Sequence, residues 1–218
     1  MMMKVELLNT MGTDDTVANA ARVSYSETAN NYSLDQNNRL IRYLAKHGHW
    51  SPFGHIQAQF RIKAPIFVAR QLAKHQVGLC WNEVSYRYVE ASQGYWEPKR
   101  YRKDSKDIKQ GSGKNYLLGM KGLMANSVYE SAVKASGIAY NTLLNLGVSK
   151  EQARAVLPTA TNTEWYWTGS VLAFSRICNL RLDKATQEET REIAQQISDQ
   201  IKVYFPEAWE ALTGEADD

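Results

Sequence analysis

The chain is poor in the residues that mark disulfide-rich or membrane-spanning proteins. Only two of its 218 residues are cysteines, Cys80 and Cys178, and they form neither a CxxC pair nor a disulfide framework. It has no apolar run long enough to cross a bilayer, and no basic segment followed by an apolar one at its start. We therefore expect a soluble, cytoplasmic protein.

No excess of one charge is present either. The 26 Lys and Arg residues against 23 Asp and Glu give a net charge of +3, which does not demand a polyanionic partner. The composition, 44% hydrophobic and 22% charged, is ordinary for a globular protein. Because no linker, repeat or change of composition divides the chain, we predict one α+β domain over residues 1–218, with a small β-sheet flanked by several helices.

Periodicity predicts the elements of that domain. Apolar and polar side chains alternate over residues 55–62, as in a half-buried strand, and residues 4–8 and 159–168 also favour strands. Segments with helical spacing or helix-capping patterns are 13–23, 34–47, 65–75, 115–146, 149–157, 170–181 and 186–205. In the long helix at about 115–146, we expect the stripe of Met120, Leu123, Met124 and Val128 to lie in the core.

Chemically versatile side chains are concentrated between His47 and Tyr88. This stretch holds all four histidines and one of the two cysteines. A strand followed by a helix would bring its polar side chains together at the helix end, beside a loop at Gly78. For any single residue a solvated surface is the simpler interpretation, but the group as a whole predicts a binding site.

These residues resemble the flavin-dependent thymidylate synthases. Family members carry Gly-His-x-Ser/Thr-Pro-Phe, a strand, Lys-Ala-Pro-Ile-Phe-Val-Ala-Arg-Gln, an Arg-His-Arg triplet, and Ser-x-Arg-Tyr after a spacer. The corresponding segments here are 48–53, 63–71, 74–76 and 85–88, and the similarity extends from about Met11 to about Leu182. The triplet reads Lys-His-Gln, and its spacer is eight residues rather than seven. Lys74 keeps a positive charge but lacks the planar fork of arginine.

The resemblance implies an activity, an assembly and a set of site residues. It implies FAD-dependent methylation of deoxyuridylate (dUMP) to thymidylate (dTMP), with methylenetetrahydrofolate as carbon donor and NADPH as reductant. It also implies a homotetramer whose sites lie between subunits. The residues implied for dUMP are Gln71, Leu72, Ala73, Lys74, Glu83, Val84, Ser85, Tyr86, Arg87, Arg154 and Arg181. Those implied for FAD are His49, Ser51, Lys74, His75, Gln76, Glu83, Ser170, Val171, Leu172 and Arg176.

Arg181 is the catalytic residue that the resemblance implies. A guanidinium over the pyrimidine ring in a shielded pocket would favour loss of the N3 proton, because it stabilises the resulting anion. That anion is electron-rich at C5, where the one-carbon unit must be accepted. If the resemblance is set aside, the alternative is that Arg181 is a surface arginine paired with a carboxylate.

Two other classes of protein are weaker interpretations. A metal hydrolase would need ligands at a recognised spacing, but the four histidines form no HExxH pattern and have no accompanying Asp or Glu, so we predict no metal. A nucleic-acid-binding module could use the basic 96–109 loop and the aromatic residues. Glu97, Asp104 and Asp107 interrupt the basic run of that loop.

For two potential nucleophiles between His47 and Tyr88 we expect roles other than nucleophilic attack. The sequence indicates no His–Asp pair beside Ser85, and an unactivated hydroxyl is a poor nucleophile. We therefore predict that Ser85 forms hydrogen bonds to a ligand. Cys80 lies between Leu79 and Trp81. Those neighbours predict that Cys80 is buried and therefore inert.

Overall fold

A four-stranded antiparallel sheet organises the fold. The computed structural model describes residues 3–26, 32–104 and 115–214. Its strands are β1 (Lys4–Met11), β2 (Gln57–Pro65), β3 (Leu79–Glu83) and β4 (Asn162–Ser170), in the order β1-β2-β4-β3. The helices are α1 (Asp14–Arg22), α2 (Leu34–Lys46), α3 (Ile66–Leu72), α4 (Gly119–Asn145), α5 (Lys150–Ala153), α6 (Val171–Arg181), α7 (Glu188–Tyr204) and α8 (Pro206–Thr213).

The core lies between one face of the sheet and helices α6 and α7. Phe60 of β2 pairs with Trp167 of β4, and both are fully buried. The ring of Phe174 in α6 meets Phe60 edge-on at 5.1 Å and Trp167 at 5.4 Å. Edge-to-face aromatic pairs of this kind add about 0.5–1.5 kcal/mol each beyond the burial of their area. The sheet is thus fixed onto α6, the helix that ends at Arg181.

The α+β prediction is confirmed, and several of its elements lie close to their expected positions. The alternation predicted for β2 is present, because Ala58, Phe60 and Ile62 are buried while Arg61 between them is exposed. Helix α2 begins after Ser33, whose side chain accepts a hydrogen bond from the backbone N–H of Gln36. Local sequence was therefore sufficient for these elements.

The structure corrects the prediction at β3. Residues 79–83, for which no strand was predicted, form the edge strand of the sheet. Trp81 faces inward and stacks on Trp165 at 4.5 Å, so the alternation of the strand leaves Cys80 on the opposite side. Cys80 is exposed, and the prediction that it is buried is wrong.

The apolar stripe of α4 is a second correction. Of its described residues, only Tyr140 is buried. Met120, Leu123, Met124 and Val128 are 61–72% exposed, so the prediction that they belong to the core of this chain is wrong. The pattern correctly indicated an apolar face, but within the described residues no element of the same chain covers it.

Two further segments are the basic loop after residue 95 and the chain after residue 204. Residues 105–114, which include part of the basic 96–109 loop, lie outside the described residues. Beyond α7, Pro206 begins α8, a helix that was not predicted, since proline suits the first turn of a helix. Within the described part of the chain, no helix combines the length and hydropathy needed to span a membrane.

Candidate active site

A cleft of about 830 Å³ opens where β3 ends and β4 begins. The turn after β3, one side of α3 and residues 151–159 border this cleft, which we call the first cleft. Seven of the eleven residues predicted for dUMP line it: Ala73, Glu83, Val84, Ser85, Tyr86, Arg87 and Arg154. Segments about 70 residues apart in sequence therefore meet at one cavity.

Hydrogen bonds hold two residues of the first cleft, Glu83 and Tyr86, in place. Glu83 accepts a hydrogen bond from the hydroxyl of Thr163 at 2.7 Å and another from Trp81 Nε1 at 3.2 Å. The hydroxyl of Tyr86 donates to the backbone carbonyl of Asn162. Burial, with Glu83 nearby, raises the pKa of Tyr86 to about 12, so this phenol stays protonated and keeps donating.

The cations of the first cleft remain available to a ligand. Arg87 and Arg154 are exposed, and among the described residues neither forms an ion pair with a carboxylate. Arg87 donates to the Tyr88 hydroxyl at 2.9 Å, and Arg154 Nε donates to the carbonyl of Glu151 at 3.3 Å. Both guanidinium groups therefore keep donors that could bind a phosphate.

Arg70 also lines the first cleft, although it was not among the predicted site residues. It belongs to the Ala-Arg-Gln end of the motif that precedes the triplet, and it lies four residues before Lys74. That helical spacing was the signal from which Arg70 could have been included.

Arg181 lies on another side of α3 and does not line the first cleft. Its Nε donates to Nε2 of His75 at 3.1 Å, and its Nη2 donates to the backbone carbonyl of Gln71 at 3.4 Å. Burial first, and the positive charge of Arg181 second, lower the pKa of His75 below its usual 6.5. His75 is therefore neutral at physiological pH, with Nε2 as the acceptor.

Three other residues predicted for dUMP also lie outside the first cleft. The side chain of Gln71 points to α7, where its Nε2 donates to Oε1 of Gln187 at 2.5 Å. Leu72 is fully buried in the core, so only its backbone could contact a ligand, and Lys74 is exposed.

A second cleft of about 570 Å³ lies at the opposite end of the β3–β4 pair. Ser170, Leu172 and Arg176, all predicted for FAD, line this second cleft. Trp50, Gln57, Cys80 and Thr168, which were not predicted, line it as well. The hydroxyl of Ser170 accepts a hydrogen bond from the N–H of Ala173 at 3.2 Å and so caps α6.

The remaining residues predicted for FAD are distributed over the surface and the core. Val171 is fully buried, and Glu83 belongs to the first cleft. His49, Ser51, Lys74 and Gln76 are exposed and line neither cleft, while His75 is half-buried against Arg181. No group of three His, Cys, Asp or Glu residues that could hold a metal ion occurs in the described part of the chain.

Comparison with known proteins identifies the family. The family described as thymidylate synthase complementing protein matches residues 6–207. A flavin-dependent thymidylate synthase from Thermosipho africanus is 38% identical over 210 residues, covering 95% of this chain and 90% of its own. This chain belongs to the flavin-dependent thymidylate synthase family. The predicted resemblance and the assignment as an enzyme of this family are both confirmed.

Two further relatives extend the similarity to the family fold. A flavin-dependent thymidylate synthase from Thermus thermophilus is 38% identical over 209 residues, covering 95% of this chain and 74% of its own. A crystal structure of the UMP/dUMP methylase PolB from Streptomyces cacaoi, bound with 5-Br dUMP, superposes with a TM-score of 0.86. It is 30% identical and covers 97% of this chain and 95% of that chain. The fold of this synthase family member is therefore shared over nearly its whole length.

Proposed function

We propose that this enzyme methylates dUMP to dTMP, taking its carbon from methylenetetrahydrofolate and its electrons from NADPH by way of FAD. Family membership supports the flavin and the nucleotide. The observation that carries the proposal is the first cleft, where Arg87, Arg154 and Ser85 meet beside Arg70. Within the described residues its guanidinium groups form no ion pair, and the Ser85 hydroxyl, which accepts from the backbone N–H of Arg87 at 3.4 Å, keeps its own proton to donate, so the cleft suits a nucleotide monophosphate.

The charges around the first cleft favour an anionic ligand. Three arginines line it against two carboxylates, Glu83 and Glu151. Glu83 is held in place by hydrogen bonds from Thr163 and Trp81, and the three arginines outnumber the two carboxylates. The positive surplus and the fork geometry of arginine would bind the phosphate of dUMP, leaving Ser85 for a further hydrogen bond.

Arg181 would act on the pyrimidine rather than on the phosphate. Its guanidinium is oriented by His75 and by the carbonyl of Gln71, which leaves further N–H groups for a ligand. A cation fixed in this way would stabilise the N3 anion and so raise the electron density at C5.

The distance between Arg181 and the arginines of the first cleft is consistent with a homotetramer whose sites lie between subunits. Within one chain, Arg181 and the first cleft lie on different sides of α3. The exposed apolar residues of α4, with Leu123 at 68% and Met124 at 61%, offer a face that a second copy could cover. Assembly would bring residues of one copy to the clefts of another.

The second cleft fits the chemistry of a flavin dinucleotide. Arg176 presents an exposed guanidinium suited to a pyrophosphate, and Trp50 offers a flat ring that is 63% exposed. Gln57 and Thr168 add polar groups on the same wall. When bound, the flavin would supply electron transfer and carry the one-carbon unit. The exposed side chains of the predicted FAD set that line neither cleft remain available to a flavin bound between copies.

The alternative of a nucleic-acid-binding module is not favoured by the described part of the basic loop. Arg102 is engaged by Glu188 at 2.8 Å and by Glu189 at 2.7 Å. Arg100 lies over the ring of Tyr116 at 5.3 Å. Arg102 is therefore paired with carboxylates of its own chain, whereas among the described residues Arg87 and Arg154 of the first cleft form no such ion pair.

The test is formation of dTMP by the purified protein. The protein is incubated with FAD, NADPH, methylenetetrahydrofolate and dUMP, with each omitted in turn and UMP substituted for dUMP in parallel. We expect a visible flavin spectrum and dTMP only in the complete mixture. A protein that retains FAD and forms no dTMP with all co-substrates present would refute the proposal. Arg154→Met should weaken dUMP binding, whereas Arg39→Met, a matched change at an exposed arginine of α2, should not.

A further inference from the structure

A continuous chain of hydrogen bonds runs from Arg102 to Gln71, outside both clefts. The Arg102 guanidinium donates to both carboxylate oxygens of Glu189, at 2.7 and 2.8 Å. Glu189 also accepts from Nε2 of Gln187 at 2.9 Å, and Oε1 of Gln187 accepts from Nε2 of Gln71 at 2.5 Å. The hydroxyl of Thr190 closes the chain by donating to Oε1 of Gln71 at 3.0 Å.

The charge of Glu189 determines the direction of every bond in this chain. A carboxylate can only accept, so Gln187 must turn its NH₂ group toward Glu189 and its oxygen toward Gln71. Gln71 must then present its NH₂ group to Gln187 and its oxygen to Thr190. Glu189 is 5% exposed and Thr190 is fully buried, so water does not compete freely for these bonds. Arg102 supplies the positive charge that a buried carboxylate needs.

This chain attaches the end of α3 to the start of α7 at the point where Arg181 is held. Gln71 lies in the last turn of α3, and Gln187 is the N-cap residue of α7. The backbone carbonyl of the same Gln71 accepts a hydrogen bond from Arg181. A shift of this turn would therefore move the group that orients Arg181.

We propose that Gln187, Glu189, Thr190 and Arg102 are positioning residues, which fix Gln71 and through it the orientation of Arg181 toward dUMP. The inference rests on the proposed function. It also assigns a role to Arg102, which belongs to the basic segment that the nucleotide site does not use. These residues act on the nucleotide from a distance and need not touch it.

The test compares two matched variants, one at the N-cap of α7 and one within that helix. Gln187→Met removes the amide that connects Glu189 to Gln71 but leaves the Arg102–Glu189 pair intact. Gln195→Met makes the same change at an exposed glutamine whose side chain donates to Asp199 at 2.8 Å. dUMP affinity is measured by calorimetry on the FAD-loaded protein, together with KM and kcat for dUMP, FAD affinity and the NMR titration of His75.

We expect Gln187→Met to raise the Kd and KM for dUMP about tenfold, the loss expected for one net hydrogen bond. FAD affinity should stay within about twofold, and the pKa of His75 should rise toward its usual value as Arg181 moves away. Gln195→Met should resemble the wild type in all of these measurements. If Gln187→Met does not fold, Thr190→Val, which keeps the buried volume and removes only the hydroxyl, tests the same connection.

The outcomes separate this inference from the proposed function. A wild-type protein that does not bind dUMP would refute the proposed function. A wild-type protein that binds dUMP, with variants that bind it equally well, would overturn the inference alone. Equal losses of FAD and dUMP affinity would also overturn it, because they would indicate general damage to the fold.

Discussion

Replacing Arg181 with methionine tests the link between this arginine, His75 and the pyrimidine. Methionine keeps much of the length and the apolar stem of arginine but removes its charge and its donors. The variant therefore loses the 3.1 Å bond to His75 and the 3.4 Å bond to the Gln71 carbonyl. It also loses every bond that the guanidinium would make to the nucleotide.

The expected magnitude follows from the kind of bond that is lost. A hydrogen bond to a charged group contributes about 1.5–3 kcal/mol, and about 1.4 kcal/mol corresponds to a factor of ten. We therefore expect kcat/KM for dUMP to fall about 10- to 150-fold in Arg181→Met, with FAD still bound. The pKa of His75 should rise toward 6.5, because burial remains but the repulsion by Arg181 is removed.

Two measurements on the same samples check this prediction. Steady-state turnover gives kcat/KM, and NMR titration of the histidine ring protons gives the pKa of His75. The control is Arg39→Met, which removes an exposed arginine that donates to the Asp35 carbonyl at 3.3 Å. If Arg181→Met turned over like this control and its His75 titrated as in the wild type, the role assigned to Arg181 would be wrong.

The remaining predictions concern pH, thiol reactivity and assembly. The pKa of His75 is lowered in the folded state, so folding favours the neutral imidazole. The resulting contribution to the free energy of unfolding is complete above pH 6.5. It is lost as the pH falls from 6.5 through the lowered pKa. His75→Gln should remove that part of the pH dependence in urea unfolding. Cys80 should react with a thiol reagent in the native protein and be protected by FAD, whereas Cys178, whose pKa burial raises to about 12, should react only after unfolding. Leu123→Glu should lower the mass of the assembly in light scattering while leaving the circular dichroism of the chain unchanged, and an unchanged mass would contradict the role given to α4.

Much of the fold could be read from local patterns. The alternation in β2 and the capped start of α2 depend on neighbours within a few residues, and the structure has both where they were expected. The family resemblance predicted that the turn at residues 85–88 and Arg154 belong to one site, and Arg154 lines the first cleft together with Ser85, Tyr86 and Arg87 of that turn. A family motif can predict that distant segments share a site because its residues lie together in the common fold of the family.

Other features could not be predicted because they depend on contacts across the chain. Residues 79–83 read Leu-Cys-Trp-Asn-Glu and lack the alternation of apolar and polar side chains that predicts a half-buried strand, and they form a strand by pairing with β4. The same pairing turns Trp81 inward and exposes Cys80. Likewise, the side chain of Gln71 belongs to the predicted dUMP set, yet it faces α7 because Gln187 and Thr190, 116 and 119 residues away, offer it partners.

The sequence by itself determined the class of the fold, the family, and which charged residues are candidates to hold a nucleotide. Periodicity and motif spacing can be read from the amino-acid sequence without any knowledge of tertiary contacts. Tertiary structure decided which of those side chains share a cleft, which point into the core, and which face of α4 is left uncovered. Such choices depend on how helices pack on the sheet, because a side chain is available to a ligand only where no other part of the chain has already covered or paired it.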